Sequence, residues 1–158
     1  FLGKINYNDF IERYLGKRVG KIVELETGKV LGKHNGYWFH TIGQRKGLGV
    51  SANAPLYVLG KDPDRNAVIL GEDNRLYTRE LTAERVNWLS VPEPDRPLSV
   101  TAKTRYSQRE AAATVEPLPG GCIRMVFTEP QRAVTPGQAV VFYDGDLVLG
   151  GGTICPYR

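Results

Sequence analysis

Ala139-Val140-Val141-Phe142-Tyr143-Asp144-Gly145-Asp146-Leu147-Val148-Leu149 reads as two short apolar strands joined by a tight turn. Val, Phe, Tyr and Leu favour a pleated, half-buried backbone, and an Asp-Gly step between such runs is a strong hairpin signal. Working back toward the N-terminus, Cys122–Phe127, Ala112–Glu116 and Leu98–Tyr106 are further strand candidates separated by turn formers. Leu81–Trp88 is another, a strand that crosses between two units. Short strands at this spacing predict a small closed or nearly closed barrel. Gly150-Gly151-Gly152 follows an apolar strand, and close backbone packing at a barrel seam accounts for it as well as a ligand does.

The first half reads differently. Phe10, Ile11, Tyr14 and Leu15 recur at helical spacing, with Asn6 as the cap, Asp9 completing an approximate capping box and Gly16 as the stop. A short helix docked on a neighbouring sheet is expected. Lys21–Leu25 and Lys29–Lys33 flank Glu26-Thr27-Gly28 as a hairpin, and Tyr37–Ile42 is an aromatic-rich strand candidate. Leu56–Leu59 and Ala67–Leu70 pair around a turn marked by Asp62, Pro63, Asp64 and Asn66. Val91-Pro92-Glu93-Pro94-Asp95-Arg96-Pro97 cannot be a central strand, which places a connection near residues 78–97. The expectation is a mainly β chain: a small β-rich domain with one short N-terminal helix over residues 1–80, then a C-terminal β-barrel over 81–158.

A hydrophobic share of 41% supports a real core and excludes disorder throughout. No apolar run approaches the ~20 residues that span a bilayer, and no signal-peptide pattern opens the chain. The chain starts at Phe1, as a trimmed or processed chain or an excised piece would. Residues 1–60 hold nine Lys/Arg against four Asp/Glu, whereas the remainder holds twelve against thirteen. A basic first segment attracts phosphates at long range, although a solvated basic face without a partner has the same composition.

The densest chemistry is Thr41-Ile42-Gly43-Gln44-Arg45-Lys46-Gly47-Leu48-Gly49. Its glycines let the backbone bend and approach a ligand, and its amide and two cations have no acid among them. It lacks the GK[ST] ending of a Walker loop, so it suits a polyanion without specifying a nucleotide; an exposed hairpin loop decorated with cations fits the same residues. Arg105-Tyr106, after Lys103, pairs a guanidinium for phosphate with a phenol for stacking or ribose contact. Gln138 follows Pro136-Gly137, a type II turn pair, and should project from a loop. Together these segments point toward RNA. His34 and His40 have no acid–base partner at recognisable spacing. Cys122 and Cys155 have neither metal-ligand nor CxxC spacing; Cys122 reads as a partly buried apolar residue, and a disulfide between the two stays open. No catalytic grouping and no metal cluster emerges from the sequence.

Phe1-Leu2-Gly3-Lys4, the Thr41–Gly49 run, Ala102-Lys103-Thr104-Arg105-Tyr106 and Thr135–Gly145, continued by Leu149–Gly152, occur in that order. In this order they resemble the central and C-terminal portions of the tRNA-specific 2-thiouridylases, over essentially the whole chain. The resemblance implies a parent enzyme with an N-terminal ATP-pyrophosphatase domain, a β-rich central domain and a C-terminal β-barrel. That enzyme uses ATP and magnesium to adenylate the C2 oxygen of the wobble uridine. A cysteine persulfide then delivers sulfur received from a donor protein.

The resemblance implies that the nucleotide-binding loop and first catalytic cysteine lie in the absent N-terminal domain. The second catalytic cysteine stands immediately before the segment matched by Phe1-Leu2-Gly3. Arg105, Tyr106 and Gln138 match positions that contact tRNA, and Gln44, Arg45 and Lys46 match a segment near the catalytic cleft. Ser107 departs from the family, which usually carries another cation there. A cytoplasmic setting is implied, with an organellar one equally compatible. The expected function is the tRNA-positioning part of the enzyme, gripping the anticodon stem-loop and inactive alone. A stand-alone β-barrel RNA-binding module, or a purely structural β domain, is the alternative.

Overall fold

A computed structural model describes residues 7–156. The chain divides into two compact units, Phe1–Leu76 and Tyr77–Arg158. Among the described residues the architecture is mainly β, as the alternating runs predict, with one α-helix, α1 (Tyr7–Leu15), and ten strands.

In the first unit the strands are β1 (Gly20–Glu24), β2 (Val30–His34), β3 (Tyr57–Asp62) and β4 (Ala67–Gly71), in the order β2-β1-β4-β3. β1 and β2 form the expected hairpin, closed by Gly28 at φ 69° and its N–H to the Glu24 carbonyl (2.9 Å). β1 also pairs with β4 in parallel, a contact that no local signal announces. Ile22, Val58, Val68 and Leu70 are fully buried, and Leu48, Leu56, Tyr37 and Ile42 join their cluster. α1 ends as predicted, with Gly16 at φ 73° and its N–H bonded to the Glu12 carbonyl (2.8 Å). Of the four side chains expected to dock, Ile11 is half-buried, whereas Phe10, Tyr14 and Leu15 are exposed, with the Phe10 ring packed at a tilt against Tyr14 at 4.8 Å. Asn6 and the Phe1–Lys4 segment lie outside the described residues.

Tyr37–Ile42 is not a strand. Tyr37–Phe39 forms a 3-10 turn, with Phe39 N–H to the Gly36 carbonyl and His40 N–H to the Tyr37 carbonyl, both at 3.2 Å. Tyr37 and Trp38 pack edge to face at 5.1 Å, and a Cβ on Gly36 would come within 2.6 Å of the indole. That ring packing, unavailable to an extended backbone, overrides the strand propensity of the aromatics.

The second unit is a closed barrel of six strands: β5 (Tyr77–Trp88), β6 (Leu98–Lys103), β7 (Ala111–Leu118), β8 (Cys122–Arg132), β9 (Ala139–Asp144) and β10 (Leu147–Ile154). Their order around the barrel is β10-β5-β8-β7-β6-β9. Alternation supplies the core: Ile123, Met125 and Phe127 point inward from β8, and Val140 and Phe142 from β9. The β9–β10 hairpin turns on Gly145-Asp146, with φ 56° at Gly145.

Several strands are longer than their sequence signals. β5 starts at Tyr77 rather than Leu81, and β8 runs past Pro130 by bulging opposite Arg79, whose guanidinium donates to the Thr128 carbonyl (2.7 Å). β10 continues through Gly150–Gly152, where Cβ atoms would lie 2.3 Å from the Asn87 carbonyl oxygen, 2.9 Å from that of Val140 and 2.9 Å from Val86. The triglycine is thus the seam of the barrel. β6, by contrast, stops at Lys103, so Arg105 and Tyr106 lie in the following turn and not in the strand. Thr104, buried, donates its hydroxyl to Gln108 Oε1 (2.8 Å), and Gln108 N–H bonds the Arg105 carbonyl (3.2 Å). No helix among the described residues is long and apolar enough to cross a membrane.

Candidate nucleic-acid interface

In the barrel, two loops are tied together by one side chain. Arg105 Nη2 donates to the Ala133 carbonyl (3.0 Å) and toward Thr135 Oγ1 (3.5 Å). Thr135 in turn donates to the same carbonyl (2.9 Å). Thr135-Pro136-Gly137-Gln138 is the expected type II turn, with Gly137 at φ 86° and Gln138 N–H to the Thr135 carbonyl (3.2 Å). The Gln138 backbone is pinned further by Ile154 N–H (2.8 Å), while its side chain is exposed. Arg105, Tyr106 and Gln138 therefore share one rim of the barrel. Tyr106 is 100% exposed, a phenol held in water on a turn that the Thr104–Gln108 and Gln108–Arg105 hydrogen bonds close, and it packs on none of the described residues.

In the first unit, the Thr41–Gly49 run is an anchored loop. Gly43 N–H bonds the Val58 carbonyl (2.8 Å), and Val58 N–H returns to the Gln44 carbonyl (2.9 Å), attaching the loop to β3. Leu48 turns into the core. The Gln44 side chain is used twice inside the loop: Oε1 accepts from Thr41 N–H and Nε2 donates to the Lys46 carbonyl, both at 2.9 Å. Gln44 therefore shapes the loop, and the charge available to a ligand is that of Arg45 and Lys46. The sequence offered no sign of this, because an amide in a loop looks the same whether it faces inward or outward.

Beside the loop lies a cleft of about 520 Å³ lined by Lys33, Asn35, Phe39, His40, Lys46 and the Gly47–Gly49 backbone, among others. Burial, then His34 and Lys61, lower the His40 pKa below its ordinary value, so the imidazole is neutral near pH 7. Lys61 Nζ donates to the His40 carbonyl (3.0 Å), and burial lowers its own pKa. His34, unremarkable in sequence, is buried: its Nδ1 accepts from Gly36 N–H and its Nε2–H donates to the Asn66 carbonyl, both at 3.0 Å. Cys122 and Cys155 are half-buried free thiols.

Residues 8–72 match the tRNA methyl transferase PRC-barrel domain, and residues 78–154 match the aminomethyltransferase beta-barrel domain. Fold and matches define the class: a PRC-barrel-type unit in tandem with an aminomethyltransferase-type β-barrel. The tRNA-specific 2-thiouridylase MnmA of Acetivibrio thermocellus is 48% identical over 155 residues, covering 98% of this chain and 43% of that protein. The MnmA proteins of Synechococcus sp. and Pseudomonas aeruginosa are each 47% identical, over 92% and 98% of this chain and 40% and 43% of their own lengths. The chain belongs to the tRNA-specific 2-thiouridylase family and spans about two fifths of the length of these curated relatives.

Proposed function

We propose that this chain is the tRNA-positioning part of a 2-thiouridylase that thiolates C2 of the wobble uridine, with the barrel rim gripping the anticodon stem-loop. The observation that carries this reading is the rim itself. Arg105 braces the two loops that present Tyr106 and Gln138, and Tyr106 is fully exposed on a hydrogen-bonded turn. A planar exposed ring beside a guanidinium and an amide suits an RNA loop, whose bases stack while its phosphates pair. In the first unit, Arg45 and Lys46 on the anchored loop add phosphate contacts near the reacting nucleotide, and Gln44 holds them in place.

In this reading ATP and magnesium act outside this chain; its Gly43–Gly49 loop opens no helix and sends Leu48 into the core, unlike a Walker loop. Activation of the uridine and transfer of sulfur from a donor protein are assigned to the part of the enzyme that this chain does not span. By itself the chain binds tRNA and thiolates nothing.

The test is a titration of a labelled tRNA anticodon stem-loop with the chain and its Tyr106→Ala variant. Tyr106 touches nothing whose loss would destabilise the barrel, so the variant should melt like the parent. Losing one base stack costs about 1–3 kcal/mol, and binding should weaken at least about fivefold. Equal affinity for both proteins would remove the rim from the interface.

A further inference from the structure

Lys21 of β1 stands directly opposite Lys33 of β2 in the antiparallel register, and both side chains are exposed. Two ammonium groups facing each other across a strand pair repel. Among the described residues neither lysine makes an ion pair; Glu12, which lines the cleft with Lys33, is engaged by Lys17 (3.3 Å). The fold gains nothing from this pair.

Two concavities meet there. One, about 560 Å³, is lined by Lys21, Lys33, Arg65 and Asn66 with β-strand backbone around them. The other is the cleft beside the glycine-rich loop, where Lys33 and Lys46 both contribute. Lys33 is common to the two, so Lys46, Lys33, Lys21 and Arg65 follow one another along a single unit. The backing is stiff. Asn66 Nδ2 donates to the Val19 carbonyl (2.8 Å), the Asn66 carbonyl accepts from His34, and a Cβ on Gly20 would lie 2.0 Å from that carbonyl oxygen. A hydrogen-bonded floor with a row of three lysine ammonium groups, ending at an Arg65 guanidinium that also pairs with Asp62 (3.7 Å), suits successive phosphates of a strand better than one enclosed anion.

We infer that this groove binds the phosphate backbone of an RNA, through residues that belong neither to the barrel rim nor to the glycine-rich run apart from Lys46. The inference rests on the tRNA reading above. An RNA phosphate supplies the negative charge that the Lys21–Lys33 pair lacks.

The test compares the salt dependence of tRNA binding by the chain with that of Lys21→Ala, Lys33→Ala and Lys29→Ala. Lys29 is exposed in the β1–β2 hairpin and lines neither concavity, so it controls for net charge. Lys21→Ala and Lys33→Ala should each lower the slope of log K against log salt by about 0.7–0.9, and Lys29→Ala should leave it unchanged. Neither groove variant should melt below the parent, because a repulsive pair is relieved. Slopes matching Lys29→Ala, with Tyr106→Ala still weakening binding, would overturn the groove and leave the rim standing. Absence of salt-dependent tRNA binding by the parent chain would overturn both.

Discussion

Gly150→Ala tests the barrel seam with one methyl group. Gly150 of β10 faces Trp88 of β5 in register, and its backbone φ is one that alanine adopts readily. The obstacle is space alone: the new Cβ would sit 2.3 Å from the Asn87 carbonyl oxygen and 3.2 Å from the Phe142 ring. The oxygen is backbone and Phe142 is fully buried, so neither can swing away. Forcing a methyl into such a site costs about 1–3 kcal/mol. Restricting the unfolded chain returns about 0.4–1 kcal/mol. The net loss is on the order of 1–2 kcal/mol, and for a unit of this size each kcal/mol moves the midpoint by about 4–8 °C. Gly60→Ala is the control, because its Cβ would meet nothing within 4 Å. Calorimetry with near-ultraviolet circular dichroism should show Gly150→Ala lowering one transition by several degrees, with Gly60→Ala level or higher. A Gly150→Ala protein as stable as the parent would refute the close-packed seam.

Gln44→Ala should release both ends of the loop staple, at a cost of about 1 kcal/mol, and raise the hydrogen-exchange rate at the Thr41 amide. Gln44→Glu keeps the acceptor for Thr41 and should preserve that protection; loss of protection in both variants alike would contradict the staple. His40 supplies a pH dependence. Its folded pKa lies below the ordinary 6.5, so between the two values the unfolded chain binds a proton that the folded chain does not. Stability of the first unit should therefore fall as pH drops below about 6.5 and level off beneath the folded value; His40→Gln should remove this component, and identical pH profiles for the two proteins would count against it.

What the sequence made legible was local. The Glu26-Thr27-Gly28 and Asp144-Gly145-Asp146 turns, the Gly16 stop and the type II turn before Gln138 each follow from a few adjacent residues whose backbone preferences agree. What it hid was long-range. The strand signals stop at Phe127 and Leu149, yet β8 runs on through Pro130 and β10 through Gly150–Gly152, because neighbours on both sides of a closed barrel hold them in register. The parallel pairing of β1 with β4 joins residues more than forty apart in sequence. At the candidate interface, Arg105, Tyr106 and Gln138 carried recognisable chemistry, but the bond from Arg105 to Ala133 that unites them spans 28 positions. The lysine pair on β1 and β2 was equally out of view, because it needs the register and not only the strands.

The central claim is that the barrel rim holds tRNA, and cross-link mapping tests it most directly. A tRNA anticodon stem-loop carrying photoreactive uridines would be irradiated with the chain and the attachment sites read by mass spectrometry. The account predicts cross-links within the Arg105–Tyr106 turn and the Thr135–Gln138 turn, abolished by excess unlabelled tRNA. Competed cross-links that fall only on other parts of the barrel would contradict it.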